Sequence, residues 1–309
     1  HTLVGTPWLN VYARLMGAKI GPGVHLATDC LRNLDLIEIG AGTCVGTDAR
    51  LEAYAIRDGQ LHLGRIAIGA RCCVGARAVL APGSRMEDDS ALGDLSLLPE
   101  GGRIPAGQSW VGSPASPYAN PPERPGEDAR PGRWRRIAMA VAQGLGSLLV
   151  PLIFISSILP GMILLNELWV RIPGYFAYLW AVPLAALSYI VLMALIIVLV
   201  KRLCIGRIQP GTHGLVSLYA LRHWFADQLL GTSLDLLAPL YATLYLNPWY
   251  RALGARVGPR AEISTAGAAI PDLLDIGEEA FIADAASLGT PHYDRGFLTL
   301  GATRIGKRA

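Results

Sequence analysis

The stretch Leu288-Gly-Thr-Pro-His-Tyr-Asp-Arg295 holds the side chains best suited to proton transfer: His292, with Asp294 two residues on and Arg295 beside it. An imidazole can take up a proton near neutral pH, and a positioned base of this kind assists attack by an amine or hydroxyl. Asp294 and Arg295 are near enough in sequence to orient the ring or to bind a substrate carboxylate. His292 is therefore the candidate general base, and Asp294 and Arg295 are the candidate orienting or substrate-binding groups. A solvated histidine in a polar loop would look the same in sequence.

Such a loop needs a rigid support, and the residues around it supply a repeat. From residue 20 the chain falls into six-residue units that begin with an aliphatic side chain, often followed by glycine. Ile39-Gly-Ala-Gly-Thr-Cys44, Val45-Gly-Thr-Asp-Ala-Arg50, Ile68-Gly-Ala-Arg-Cys-Cys73 and Val74-Gly-Ala-Arg-Ala-Val79 show it best, and units beginning at Leu80, Met86 and Leu92 continue it. A fixed period of this kind builds a solenoid. In a triangular coil the aliphatic residue points inward, the fifth position is small, and glycine is expected at the corners. His292 follows the rungs Ile276–Phe281 and Ile282–Ser287, where a loop would leave such a coil.

Sliding the sequence by 237 residues lays Gly17–Cys72 on Gly254–Ala309 without a gap, with identical residues at 18 of the 56 paired positions. Gly17-Ala-Lys-Ile-Gly-Pro22 meets Gly254-Ala-Arg-Val-Gly-Pro259, and Asp35-Leu-Ile-Glu-Ile-Gly40 meets Asp272-Leu-Leu-Asp-Ile-Gly277. This predicts a tandem duplication of one module whose second copy continues past Ala309, in a piece of a longer polypeptide. No histidine is shared: His292 meets Ala55, His62 meets Thr299 and His25 meets Glu262. Either one module carries the chemistry or the copies combine into one composite site, as in an intramolecular pseudo-trimer with a further module. Thr28 with Thr265, and Asp35 with Asp272, are shared and read as turn-capping residues.

The composition divides the chain further. With 52% hydrophobic and 17% charged residues it is neither a disordered nor a wholly soluble protein. Ile137–Pro160 and Ile172–Val200 carry no charge, each long enough to cross a bilayer. The short connection is expected at Asn166–Arg171, with Glu167 and Arg171 at the outer membrane edge. Arg130, Arg133, Arg135 and Arg136 before the pair, and Lys201, Arg202 and Arg207 after it, place both flanks in the cytosol of a bacterial cytoplasmic membrane. These positives sit beside apolar runs and are not interleaved with aromatics, so nucleic acid is not a partner. Cys30, Cys44, Cys72, Cys73 and Cys204 have neither zinc-site spacing nor a disulfide framework, so no metal is expected. Cys72 takes the small inward position of its rung, and Cys73 points outward.

The expected organisation is a first module over 1–117, a linker over 118–136, a membrane hairpin over 137–202, a helical connector over 203–250 in which Leu218–Tyr245 is a surface or interfacial helix, and a second module over 251–309. Ile104-Pro-Ala-Gly-Gln-Ser-Trp-Val-Gly-Ser-Pro-Ala115 resembles the closing signature of hexapeptide-repeat acyltransferases, which form left-handed parallel β-helices. Together with the lead-in Asn247-Pro-Trp-Tyr-Arg-Ala-Leu-Gly-Ala-Arg-Val-Gly258, the whole resembles the C-terminal region of ε-poly-lysine-synthetase-like nonribosomal peptide synthetases. That resemblance implies an amino acid held as a phosphopantetheine thioester on a carrier domain outside this chain, and amide transfer from that thioester to an amine acceptor. Two other classes stay open: a membrane-anchored acyltransferase that uses acyl-CoA, and a non-catalytic scaffold for the carrier or for polymer export.

Overall fold

The computed structural model describes the chain except for His1 and residues 121–130, 172–174, 237–245, 265, 268–269 and 285. Thr265 and most of the expected linker lie outside the described residues. The chain forms two compact units, one of residues 1–144, 210–221 and 289–301 and one of residues 145–209, 222–288 and 302–309.

The first unit is built on a parallel solenoid. Its strands are two or three residues long and form three sheets, the register advancing by 18 residues per coil where the hexapeptides are uninterrupted, as in Arg85↔Arg103 and Val79↔Leu97. Every predicted rung leader, Ile39, Val45, Ile68, Val74, Leu80, Met86 and Leu92, is buried in one core that Leu98 and Ile104 extend. Burying each of these contributes about 1.5–3 kcal/mol. The fifth positions, Thr43, Ala49, Cys72, Ala78, Ser84, Ser90 and Ser96, are small and buried too.

The corners differ from the sequence expectation. Left-handed backbone falls at the fourth position of the rungs and is taken mostly by Asp48, Arg71, Arg77, Asp89 and Leu95, with Gly42 and Gly83 in only two of the seven. Glycine at the second position serves close approach instead: a Cβ on Gly40 would lie 2.5 Å from the carbonyl carbon of Gly69 on the next coil. Between Ala53 and Gly64 the solenoid ejects an antiparallel hairpin, Tyr54–Arg57 with Gln60–Leu63. That insertion stretches the register to 29 residues, as in Cys44↔Cys73. Helix α1, Pro7–Leu15, closes the start of the coil, with Asn10 Nδ2 donating to Val24 O and Arg14 to Ile20 O.

In the second unit, Arg256–Val257, Leu274–Ile276 and Thr303–Ile305 form a parallel sheet whose registers equal those of the first coil shifted by 237. Helices α2, Arg133–Arg171, and α3, Tyr175–Val200, are both long and apolar enough to cross a membrane. α2 differs from expectation at both ends. It begins at Arg133, inside the expected linker, and it runs on through Asn166–Arg171, the expected connection. Between Gly161 and Pro173 there is neither glycine nor proline, so no residue there breaks the helix. Helix α4, Leu218–Leu236, is no free surface helix: its Leu229 packs with Val150 and Phe154 of α2 and with Met193 and Ile197 of α3. A Cβ on Gly146 would come within 2.8 Å of Trp224, so α4 approaches α2 closely. Helix α5, Leu246–Leu253, leads into the second coil as α1 does into the first.

Candidate functional site

Along the second sheet of the first coil, the sixth position of each rung points outward, and parallel pairing stacks these residues one per coil. His25 pairs with Cys44, Cys44 with Cys73 and Cys73 with Ala91. A second antiparallel hairpin, His292–Asp294 with Phe297–Leu300, belongs to the same compact unit and lies against this ladder. The Cys73 thiol donates to the carbonyl of Tyr293 at 3.3 Å, and the rings of His25 and Tyr293 are 4.6 Å apart, tilted by 43°.

The hairpin's turn is clamped at a corner of the coil. Arg71 bonds both carboxylate oxygens of Asp89, at 2.9 and 2.5 Å, and Arg295 Nη2 approaches Asp89 Oδ1 at 3.4 Å. Its outer edge is extended by Gly211–Gly214, which pairs antiparallel with Phe297–Leu300. The hydroxyls of Thr212 and Thr299 are 3.1 Å apart, and the His213 ring stacks on Tyr219 at 3.7 Å. Leu215 N–H donates to Gly296 O at 2.8 Å.

The sequence-predicted trio is thus placed on one hairpin but put to different uses. His292 pairs with Thr299 across the strands, and its side chain is exposed. Asp294 is buried. Arg295 reaches the acid of the first coil. The contacts of His25, Cys73, Tyr293 and Asp89 with one another and with Arg295 escaped the sequence reading because they join residues more than 200 positions apart, which no local spacing shows. Cys73 does point outward from its rung, yet it is buried where the hairpin crosses it. Cys72 is inward as expected, its thiol donating to Glu87 O at 3.0 Å, and burial raises its pKa.

A separate open groove of about 880 Å³ runs along the first sheet of this coil, lined by Arg14, Lys19, Glu38, Arg85 and Glu87 among others. The Lys19 hydrogen bond lowers the Glu38 pKa, and that of Arg103 does the same for Glu87. Two of the groove's carboxylates are therefore matched by neighbouring cations.

No protein-family model matches the chain. Over its whole length, however, it is similar to the delta-poly-L-ornithine synthetase of Acinetobacter baumannii (strain AB307-0294), at 32% identity over 321 aligned residues. The chain is a poly-amino-acid-synthetase-like hexapeptide-repeat region. This region accounts for 24% of that relative's length. Solved structures with similar coils include a maltose O-acetyltransferase from Clostridium difficile 630, at 13% identity and a TM-score of 0.29 over 35% of this chain and 72% of that one. A galactoside acetyltransferase in complex with coenzyme A gives 18% and 0.29, over 35% of this chain and 68% of that one. An N-acyltransferase from Bacillus cereus, solved with an amino-sugar nucleotide and coenzyme A, gives 14% and 0.27, over 32% and 57%.

Proposed function

We propose that this region is the membrane-embedded, amide-forming part of an amino-acid-polymerising ligase, with two tandem left-handed β-helix modules flanking a transmembrane helical hairpin. The observation that carries the reading is the match of the entire chain, coils and apolar helices together, to a poly-amino-acid synthetase. Acyltransferase-like coils alone would leave the helices unaccounted for. The module boundaries follow the 237-residue register, which the strand pairings of the second coil repeat.

The membrane assignment is supported by exposure. Leu145, Leu148, Leu152 and Ile155 on α2, with Val182, Val191 and Leu195 on α3, are turned outward, and only 22% and 17% of the most apolar windows of the two helices are buried. Core helices of a soluble protein would be covered. Arg133, Arg135 and Arg136 at the start of α2, and Arg202 and Arg207 after α3, put both ends of the pair, and with them both modules, on the cytosolic side of a bacterial cytoplasmic membrane.

In the proposed reaction the amine nitrogen attacks the carbonyl of a carrier-bound aminoacyl thioester. A C–N bond forms, the C–S bond breaks, the amine gives up its proton to a base, and the departing thiolate takes one up. Phosphopantetheine enters as part of the carrier's thioester, so it belongs to the substrate. His292, exposed on the hairpin, is the base that takes the amine proton. Arg295 and Asp294 position the strand that bears it: Arg295 by its contact with Asp89, and Asp294 by its burial.

Full-length protein in membranes, given an aminoacyl-loaded carrier and a free amine, tests this reading. The expected result is amide product with the carrier thioester as donor and none with aminoacyl-CoA in its place. Efficient turnover of acyl-CoA without carrier would replace the reading by an ordinary acyltransferase. Product formation unaffected by substitutions in either coil would replace it by a scaffold.

A further inference from the structure

The two hairpins of this chain occupy equivalent positions and have opposite surroundings. Both follow the same gapless register: Ala55↔His62 corresponds to His292↔Thr299, and Ile56↔Leu61 to Tyr293↔Leu298. Both turn through a residue with positive φ followed by glycine, Asp58-Gly59 in one and Arg295-Gly296 in the other. The second hairpin is covered by the His25–Cys44–Cys73 ladder and by the strand Gly211–Gly214. Among the described residues the strands of the first pair only with each other, as a two-stranded sheet, and Arg57 beside its turn is ion-paired with Glu100 of its own coil at 2.6 Å.

Its apolar side chains are correspondingly bare. Ile56, Leu61 and Leu63 are 72%, 61% and 58% exposed, whereas Leu298 and Leu300, at the positions of Leu61 and Leu63, are 1% and 2% exposed. An isolated hairpin with three bare aliphatic residues is marginal in water, and its open edge invites pairing. Its recipient face has an uncovered counterpart as well: Phe281 of the second coil, at the position of buried Cys44, is 61% exposed.

We propose that Tyr54–Leu63 is a docking arm, and that its partner is the outward ladder of a further hexapeptide coil in the same polypeptide. The docked hairpin supplies the pattern: its first strand lies against the outward residues His25 and Cys73, Leu298 and Leu300 of its second strand are buried, and the turn is fixed by an ion pair at a corner. The existing pair is made within one chain, where tethering raises the effective concentration of arm and face. The turn charge of the free arm is reversed, since Asp58 replaces Arg295. The accepting corner must therefore be basic where the first coil presents Asp89. Exchange of arms between coils is a heterologous contact, and with a third coil it closes into a ring. The proposal does not depend on the amide-forming reading, because arm docking is read without turnover.

The test places the photo-crosslinking residue p-benzoylphenylalanine at Leu61, and separately at Tyr293 as a reference, in full-length protein in native membranes. Light and heavy isotope-labelled chains are co-expressed. The Tyr293 probe is expected to crosslink to the strands around His25 and Cys73. The Leu61 probe is expected to crosslink within its own chain, to a hexapeptide segment outside residues 1–309. Mixed light–heavy products at Leu61 would overturn the proposal in favour of docking between copies, and lipid adducts alone would overturn it in favour of the bilayer. Amide hydrogen exchange of residues 54–63 gives a reading independent of crosslinking yield. Exchange should be slowed about tenfold or more relative to the Ile56→Asp, Leu61→Asp double variant. Equal exchange in the two proteins would show the arm free and overturn the proposal.

Discussion

At the scale of single residues, the most constrained pair is Lys201 with Asp272. The ammonium and carboxylate meet at 2.5 Å with both side chains about 4% exposed, and the same carboxylate accepts from Ile208 N–H at 3.0 Å. By sequence Lys201 belongs with the cytosolic positive charges after α3, but its charge is spent inside the second unit. The 237-residue shift pairs Asp272 with Asp35 as a turn-capping residue; its second partner lies 71 positions away and left no local trace. Replacing Lys201 by Met leaves an uncompensated buried carboxylate and is expected to cost about 3–5 kcal/mol, whereas Lys201→Met with Asp272→Asn should cost much less. Thermal unfolding of the three proteins in one detergent checks the order. Leu95 offers the opposite case. Its φ of 53° strains a branched side chain that is largely exposed, so Leu95→Gly should be neutral or stabilise the coil by up to about 1 kcal/mol. Position four of the rungs was not legible beforehand, because Asp, Arg, Leu and Gly alternate there without a common chemical type. Position one was, because only aliphatic side chains fill the inside of the coil. The register also extends further than its identities suggested. Asn247 Nδ2 donates to Ala261 O as Asn10 does to Val24 O, and Arg251 binds Val257 O as Arg14 binds Ile20 O.

At the scale of elements, α4 buries a histidine whose protonation opposes its packing. His223 is buried, and burial lowers its pKa to about 4. In the unfolded chain it titrates near 6.5, so the unfolded state binds the proton first as pH falls. The stability His223 contributes is complete above about pH 6.5 and is lost progressively down to about pH 4, by about 3 kcal/mol at most. A His223→Phe variant should show a flatter stability profile across that window, measured by thermal unfolding from about pH 7 to about pH 4. The hairpins show the limit of sequence reading at this scale. The repeat period located both coils, and the rung count located the loop that bears His292. What the loop rests on was not legible, because docking depends on the path the chain takes back to the first coil. The apolar runs identified both long helices, while the end of α2 was missed: Glu167 and Arg171 suggested a loop, but helical residues without glycine or proline continue the turn.

At the scale of the whole molecule, amide transfer from a cytosolic carrier requires both helix ends to face the cytosol. Cys204, just beyond the end of α3, is exposed, and Cys44, Cys72 and Cys73 are buried. In a Cys30→Ser background, a membrane-impermeant maleimide should label Cys204 in inverted vesicles and leave it unlabelled in intact spheroplasts. Labelling from outside would reverse the orientation and separate the coils from a cytosolic carrier. In the proposed reaction the amine proton is taken by His292, exposed on the hairpin that lies against the first coil. The most direct test compares full-length wild type with His292→Ala in membranes, following amide product and thioester loading on the carrier together. If His292 is the base, product falls about 10²-fold or more with loading unchanged. Equal product from both proteins would contradict it and remove His292 from the mechanism.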